Sequence, residues 1–85
     1  MLEELKSLVG VKLDNYDLWI DSVFLESEGK EKTLNIVLDS DKILDLATVT
    51  MASRILNPVI DKADFIKGEY VLDIYAKPRG DGNNE

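Results

Sequence analysis

The stretch from Thr33 to Arg54 constrains the fold most, because its apolar spacing changes period in mid-course. Leu34, Ile36 and Leu38 alternate with Asn35, Val37 and Asp39, the two-residue repeat of a strand with one apolar face. Ser40-Asp41-Lys42 turns the chain. From Leu46 the spacing becomes helical: Leu46, Val49, Thr50, Ser53 and Leu56 share one face, with Ala52 and Ile55 at its margins. Asp45 stands where its carboxylate can accept hydrogen bonds from the unpaired amides of the first helical turn. The helix is predicted to end at about Leu56. Arg54 suits the negative end of its dipole, and Asn57-Pro58 breaks the pattern, with Asn57 capping a new short turn begun at Pro58.

The segments on either side supply the other layers. Leu2, Leu5, Leu8 and Val9 fall on one helical face, which Leu13 extends. Gly10 interrupts this helix and costs up to about 1 kcal/mol relative to alanine, so the helix is expected to be short or to end there. Asp14-Asn15 supplies a turn. A first strand follows from Asp17 to Glu26, with Leu18, Ile20 and Phe24 alternating with Trp19, Asp21 and Val23. Trp19 is assigned to the thin core, since tryptophan is highly buried on average, with an exposed partner contact as the alternative. The charged run Glu26 to Lys32, containing Gly29, reads as a hairpin loop. Val59 and Ile60 are expected to bury, Asp61 to Asp64 to form a polar connection, and Phe65-Ile66 to return the chain to the core. The last strand runs from Glu69 to Tyr75, with Tyr70, Leu72 and Ile74 on one side and Val71 and Asp73 on the other.

The order helix, strand, strand, helix, strand makes an α+β fold: a two-layer αββαβ sandwich. Its three-stranded mixed sheet pairs the first two strands as a hairpin and places the third parallel to the second by a right-handed crossover. Both helices must cover one face, because three strands alone cannot stand in water. The other face carries Asn35, Asp39 and Asp73 and is expected to be partly wet. Residues 1–76 form the domain. The tail, residues 77–85, has no apolar anchor and is expected to be disordered.

Composition narrows the function. The chain has no histidine and no cysteine, which removes the usual general base near neutral pH, thiolate chemistry and the commonest metal ligands. No pair of carboxylates stands at suggestive spacing, so no catalytic residue and no cofactor is assigned. Asp39, Asp41 and Asp45 resemble the first half of a calcium loop, but the central glycine and the final bidentate glutamate are absent. Asp45 is therefore read as a helix cap and no metal is expected. No apolar run is long enough to span a bilayer, and the acidic N-terminus is unlike a secretory signal; a cytoplasmic protein is the simplest reading. With 17 acidic against 10 basic residues the net charge is −7. Such a surface repels phosphate backbones, so direct nucleic-acid binding is not expected; it attracts basic partners. Two binding roles fit: docking of a basic protein, or an acidic inhibitor that mimics nucleic acid in a partner's cationic groove.

An ordered set of residues resembles one family. Ile36-Val37-Leu38-Asp39-Ser40-Asp41, then Asp45-Leu46, Ser53-Arg54, Leu56, Pro58 and Ile60-Asp61, then Asp64, Ile66, Gly68, Tyr70 and Leu72-Asp73-Ile74 are similar in order and spacing to the N-terminal domain of RimP, the bacterial ribosome maturation factor. Tyr16-Asp17-Leu18 and Asp21 resemble that family's approach to the first strand. The resemblance implies a fold akin to type II KH domains, and a noncatalytic assembly factor for the small ribosomal subunit. It implies contact with a basic small-subunit ribosomal protein of the S-twelve type and with immature small subunits. The family's second, SH3-like domain has no counterpart in this chain. Lys42-Ile43 stands where the family usually has Gly-Gly, and Ala47, Thr48 and Val49 stand where it usually has acids and a cysteine. The partner-binding residues expected on this basis are Asp39, Asp41 and Asp45 at the corner, with Ser53 and Arg54 on the helix.

Overall fold

In the computed structural model, which describes residues 2–78, the chain runs α1 (Leu2–Gly10), a 3-10 segment (Val11–Tyr16), β1 (Trp19–Glu28), β2 (Glu31–Asp39), α2 (Leu46–Ala63) and β3 (Val71–Ala76). The three strands form one sheet in the order β1-β2-β3. β2 is central, antiparallel to β1 and parallel to β3. This is the α+β arrangement read from the sequence.

β2 holds the two layers together because its alternation is strict. Leu34, Ile36 and Leu38 are fully buried and join Leu5, Val9, Leu13, Ala52, Leu56 and Ile60 in a single cluster. Both helices therefore cover the face of the sheet that those three side chains occupy. Leu18, just before β1, and Ile20 within it join the cluster, and Leu72 and Ile74 of β3 pack against it.

As expected, the first α-helix ends at Gly10, but the glycine does not break the chain's helical course. It keeps right-handed helical angles (φ −60°, ψ −38°) and the chain tightens into the 3-10 segment, which carries Leu13 into the core before Asp17 reverses the chain in the left-handed region (φ 57°). The glycine is not required by space: a Cβ there would meet only Ile20 Cγ1, at 3.8 Å. Gly10→Ala is therefore expected to stabilise the domain by about 0.5–1 kcal/mol, partly by restricting the unfolded chain. An upward shift of the urea midpoint checks this.

α2 departs from expectation at its far end. It does not stop at Leu56 but runs 18 residues to Ala63, with Pro58 inside it. Proline removes the amide that would pair with the carbonyl four residues earlier. That carbonyl belongs to Arg54, and both Arg54 and Pro58 are exposed, so water can satisfy it. Asn57, predicted to cap a new turn, instead donates its side-chain amide to Ser53 O at 2.9 Å. On the opposite side Leu56 and Ile60 are buried and hold the last turns against the core. The longer helix also shifts its buried stripe. Ala52, Leu56 and Ile60 face the core, whereas Leu46 is 81% exposed and Thr50 is exposed.

β1 departs from expectation in register. It pairs Ile20 with Leu38 and Ser22 with Val37, leaving Asp21 as an extra residue. One inserted residue sends all side chains on one side of it to the opposite face. Val23, pairing with Ile36, thus packs against the core, and Phe24 joins Trp19 on the uncovered face. Trp19 is not in the core; it is 44% exposed. The β1–β2 loop is only Gly29-Lys30, with Glu28 facing Glu31, and Gly29 at φ 62° supplies the positive angle that such a tight hairpin needs at its first position. Just past β3, Lys77 N donates to Leu38 O at 2.7 Å. The rest of the expected tail, from residue 79, lies outside the described residues.

Candidate functional site

The corner between β2 and α2 is built by short polar residues that bind their own backbone. Ser40 N donates to Asp39 Oδ1 at 2.8 Å. The buried Ser40 hydroxyl donates to Asp17 O at 2.9 Å and accepts from Lys42 N at 3.2 Å. The corner is thereby tied to the chain reversal that precedes β1. Asp45, in extended backbone (φ −91°, ψ 171°), caps α2 by accepting from Thr48 N at 2.8 Å, and its carbonyl accepts from Val49 N at 3.1 Å.

The bonds from Thr48 hold the Asp45 carboxyl below its ordinary value of 3.8. A carboxylate depressed in the folded state stabilises it fully above the unfolded-state value and loses that contribution as pH falls through the folded-state value. Asp45→Ala should therefore lower the melting temperature at pH 6. The gap from the parent should close as pH is taken below about 3.8, and paired thermal melts across that range check it.

Asp39, Asp41 and Asp45 lie within seven positions of one another at this end of the sheet. Asp41 and Asp45 are exposed and Asp39 is half-buried. Beside them the structure adds two aliphatic side chains that the polar context had hidden: Ile43 is 88% exposed and Leu46 81%. Ser53 and Arg54 are not brought to the corner. At a rise of about 1.5 Å per residue they stand roughly 12–14 Å along α2 from Asp45. Arg54 is exposed and Ser53 half-buried.

The uncovered face of the sheet is partly wet, as expected, but it also carries the exposed apolar side chains of Trp19, Phe24 and Val71. Read across the strands, its rows are Trp19 and Asp39, then Ser22, Val37 and Tyr75, then Phe24, Asn35 and Asp73, then Glu26, Thr33 and Val71. Asn35, expected to be wet, is buried. Its side-chain amide donates to Glu26 Oε1 at 3.0 Å and to Thr33 O at 3.3 Å, and its Oδ1 accepts from the Tyr75 hydroxyl at 3.1 Å. Burial first, then the carboxylates of Asp73 and Glu26, push the Tyr75 phenol above its ordinary value.

A groove of about 740 Å³ opens at the hairpin end between α2 and β3, lined by residues that include Lys30, Lys32, Asn57, Asp61 and Tyr70, and none of the corner carboxylates reaches it. Among the described residues, no group of three or more histidine, cysteine, aspartate or glutamate side chains is placed to hold a metal ion. Among the same residues, no helix is long and apolar enough to cross a membrane.

The family model of the RimP N-terminal domain matches residues 8–76. The chain belongs to the RimP family. RimP proteins are noncatalytic ribosome maturation factors, and the matched segment takes in the whole sheet, the acidic corner and α2. The fold also recurs outside RimP. A chain of CzrB, a zinc-transporter candidate solved in its zinc form, superposes with a TM-score of 0.63 at 12% identity, over 98% of this chain and 90% of that one. At that identity the likeness is one of fold alone.

Proposed function

We propose that this RimP-type domain acts in maturation of the small ribosomal subunit in the cytoplasm by binding a basic ribosomal protein of the S-twelve type and, through it, immature small subunits. The family match over residues 8–76 carries the reading. The charge balance of −7 supports a cationic protein as partner, because complementary charge speeds encounter and disfavours acidic competitors. In this reading Asp39, Asp41 and Asp45 face the partner's cations, Ile43 and Leu46 supply apolar contact beside them, and Ser53 and Arg54 extend the surface along α2. The domain contributes a binding surface and no chemistry.

Sedimentation of the chain with precursor small subunits at low salt tests the reading. The domain should travel with the precursors, and Asp39→Lys with Asp41→Lys should weaken that association about tenfold, as expected when exposed attractive pairs become repulsive. A domain that stays at the top of the gradient would overturn the reading. Unchanged association of the charge-reversed form would remove the corner from the site.

A further inference from the structure

We propose that the uncovered face of the sheet is a docking site for an arginine-bearing extended segment of a basic protein. The proposal rests on the reading above for the source of that segment, but its surface is a different one.

The bulge at Asp21 is what assembles the face. Without the extra residue Trp19 and Phe24 would lie on opposite sides of β1; with it they share one side, bracketing Ser22. The bulged residue is held twice, at its backbone and at its side chain: Lys6 Nζ donates to Asp21 O at 3.3 Å, and Lys77 Nζ pairs with Asp21 Oδ1 at 3.2 Å. Trp19, Phe24 and Val71 are left 44%, 38% and 50% exposed. Bulges are common where a side chain is re-aimed for function.

Charge selects the occupant. The face carries Glu26, Asp39 and Asp73 among its rings, and among the described residues Lys77, just past β3, is paired with Asp21. Burial first, and after it Asp73 and Glu26, raise the Tyr75 phenol on this face. A second copy would bring the same carboxylates against these, and nucleic acid would bring phosphates; both are opposed by like charge. Arginine fits better than lysine, because a planar guanidinium stacks on an aromatic ring while its edge pairs with a carboxylate, whereas an ammonium is more strongly hydrated. Ser22, between the two rings on the edge strand, leaves low ground for such a side chain, with rows spaced about 7 Å apart along the strands.

Trp19 is the chain's single tryptophan and reports on the face directly. The test is titration of the protein with nona-arginine, nona-lysine and nona-glutamate peptides at low salt, following Trp19 emission. A saturable change is expected with nona-arginine, at least about threefold tighter than with nona-lysine, and none with nona-glutamate. Asp73→Lys, at an exposed position of edge strand β3, should weaken nona-arginine binding about tenfold, while Glu3→Lys, exposed on α1, should leave it within about twofold. Phe24→Thr, which removes a ring and keeps the charge, should weaken it as well; thermal melts of each variant confirm folding. No saturable change, equal response to the lysine peptide, or wild-type affinity in both Asp73→Lys and Phe24→Thr would overturn the proposal. Concentration-dependent self-association that buries Trp19 would overturn it too, in favour of a second copy. Arginine-peptide binding retained by a domain that ignores precursor subunits would defeat the functional reading and leave this face standing; the reverse result would do the opposite.

Discussion

Ile36→Ala should unfold much of the population at 37 °C. Ile36 is fully buried at the middle of the central strand, facing Val23 on one side and Ile74 on the other. The rest of the core cluster, from both helices, closes over it. Truncation of such a residue costs about 2–5 kcal/mol, since the transfer energy of the lost carbons and the cavity left behind add together. A domain of this length has in total only about 0.05–0.15 kcal/mol per residue to lose. The core is one thin layer between one sheet face and two helices, so there is no second shell to collapse into the gap. Urea unfolding followed by circular dichroism should show the midpoint falling by more than half. A loss below about 1 kcal/mol would mean that the site relaxes, which the close packing of cores argues against.

Deletion of Asp21 is expected to be comparably damaging, for a different reason. The residue itself is half-buried, and its exposed ion pair with Lys77 contributes little. Its importance is the extra place it occupies in the strand. Without it, Leu18 and Ile20, which are 5% and 6% exposed, would have to point to solvent for the hairpin from Ser22 onward to keep its pairing, and Trp19 would point at the helices. Exposing two such side chains costs about 1.5–3 kcal/mol each, and an indole forced into a filled core adds strain. If the deleted chain folds at all, its tryptophan emission should move to shorter wavelength as the ring leaves water. Asp21→Ala, which keeps the residue count, should lose only the pairing with Lys77 and melt close to the parent. A deletion as stable as Asp21→Ala would show that the bulge is dispensable.

These two positions also show what the sequence could and could not disclose. β2 was legible because Leu34, Ile36 and Leu38 can only face the helices, although Asn35 and Val37 on its other face are buried as well. The Asp45 cap was legible because a short carboxylate one place before a helix has one strong use. β1 was misjudged because two registers looked alike: apolar residues at 18 and 20 and again at 23 and 25 are out of phase by one. That slip is the mark of a bulge, whereas unbroken alternation groups Phe24 with Leu18 and Ile20. Trp19 was then placed in the core on average behaviour, which a re-aimed edge residue does not follow. Pro58 misled in the same way. Proline ends most helices, but here the carbonyl it orphans lies on the wet side while Leu56 and Ile60 hold the dry side. The acidic corner was visible as composition, whereas its aliphatic neighbours Ile43 and Leu46 became visible only once the helix had rotated its buried stripe away from Leu46.

The functional account joins two surfaces, the corner after β2 and the uncovered sheet face, to one cationic protein partner. The most direct measurement is an amide chemical-shift map of the isotopically labelled domain as an S-twelve-type ribosomal protein is added. The account predicts shifts concentrated at Asp39–Leu46 and across Trp19, Phe24, Asp73 and Tyr75, fading as salt is raised, with the solvent side of α1 silent. Shifts confined to the outer face of α1, or no shifts at low salt, would contradict it.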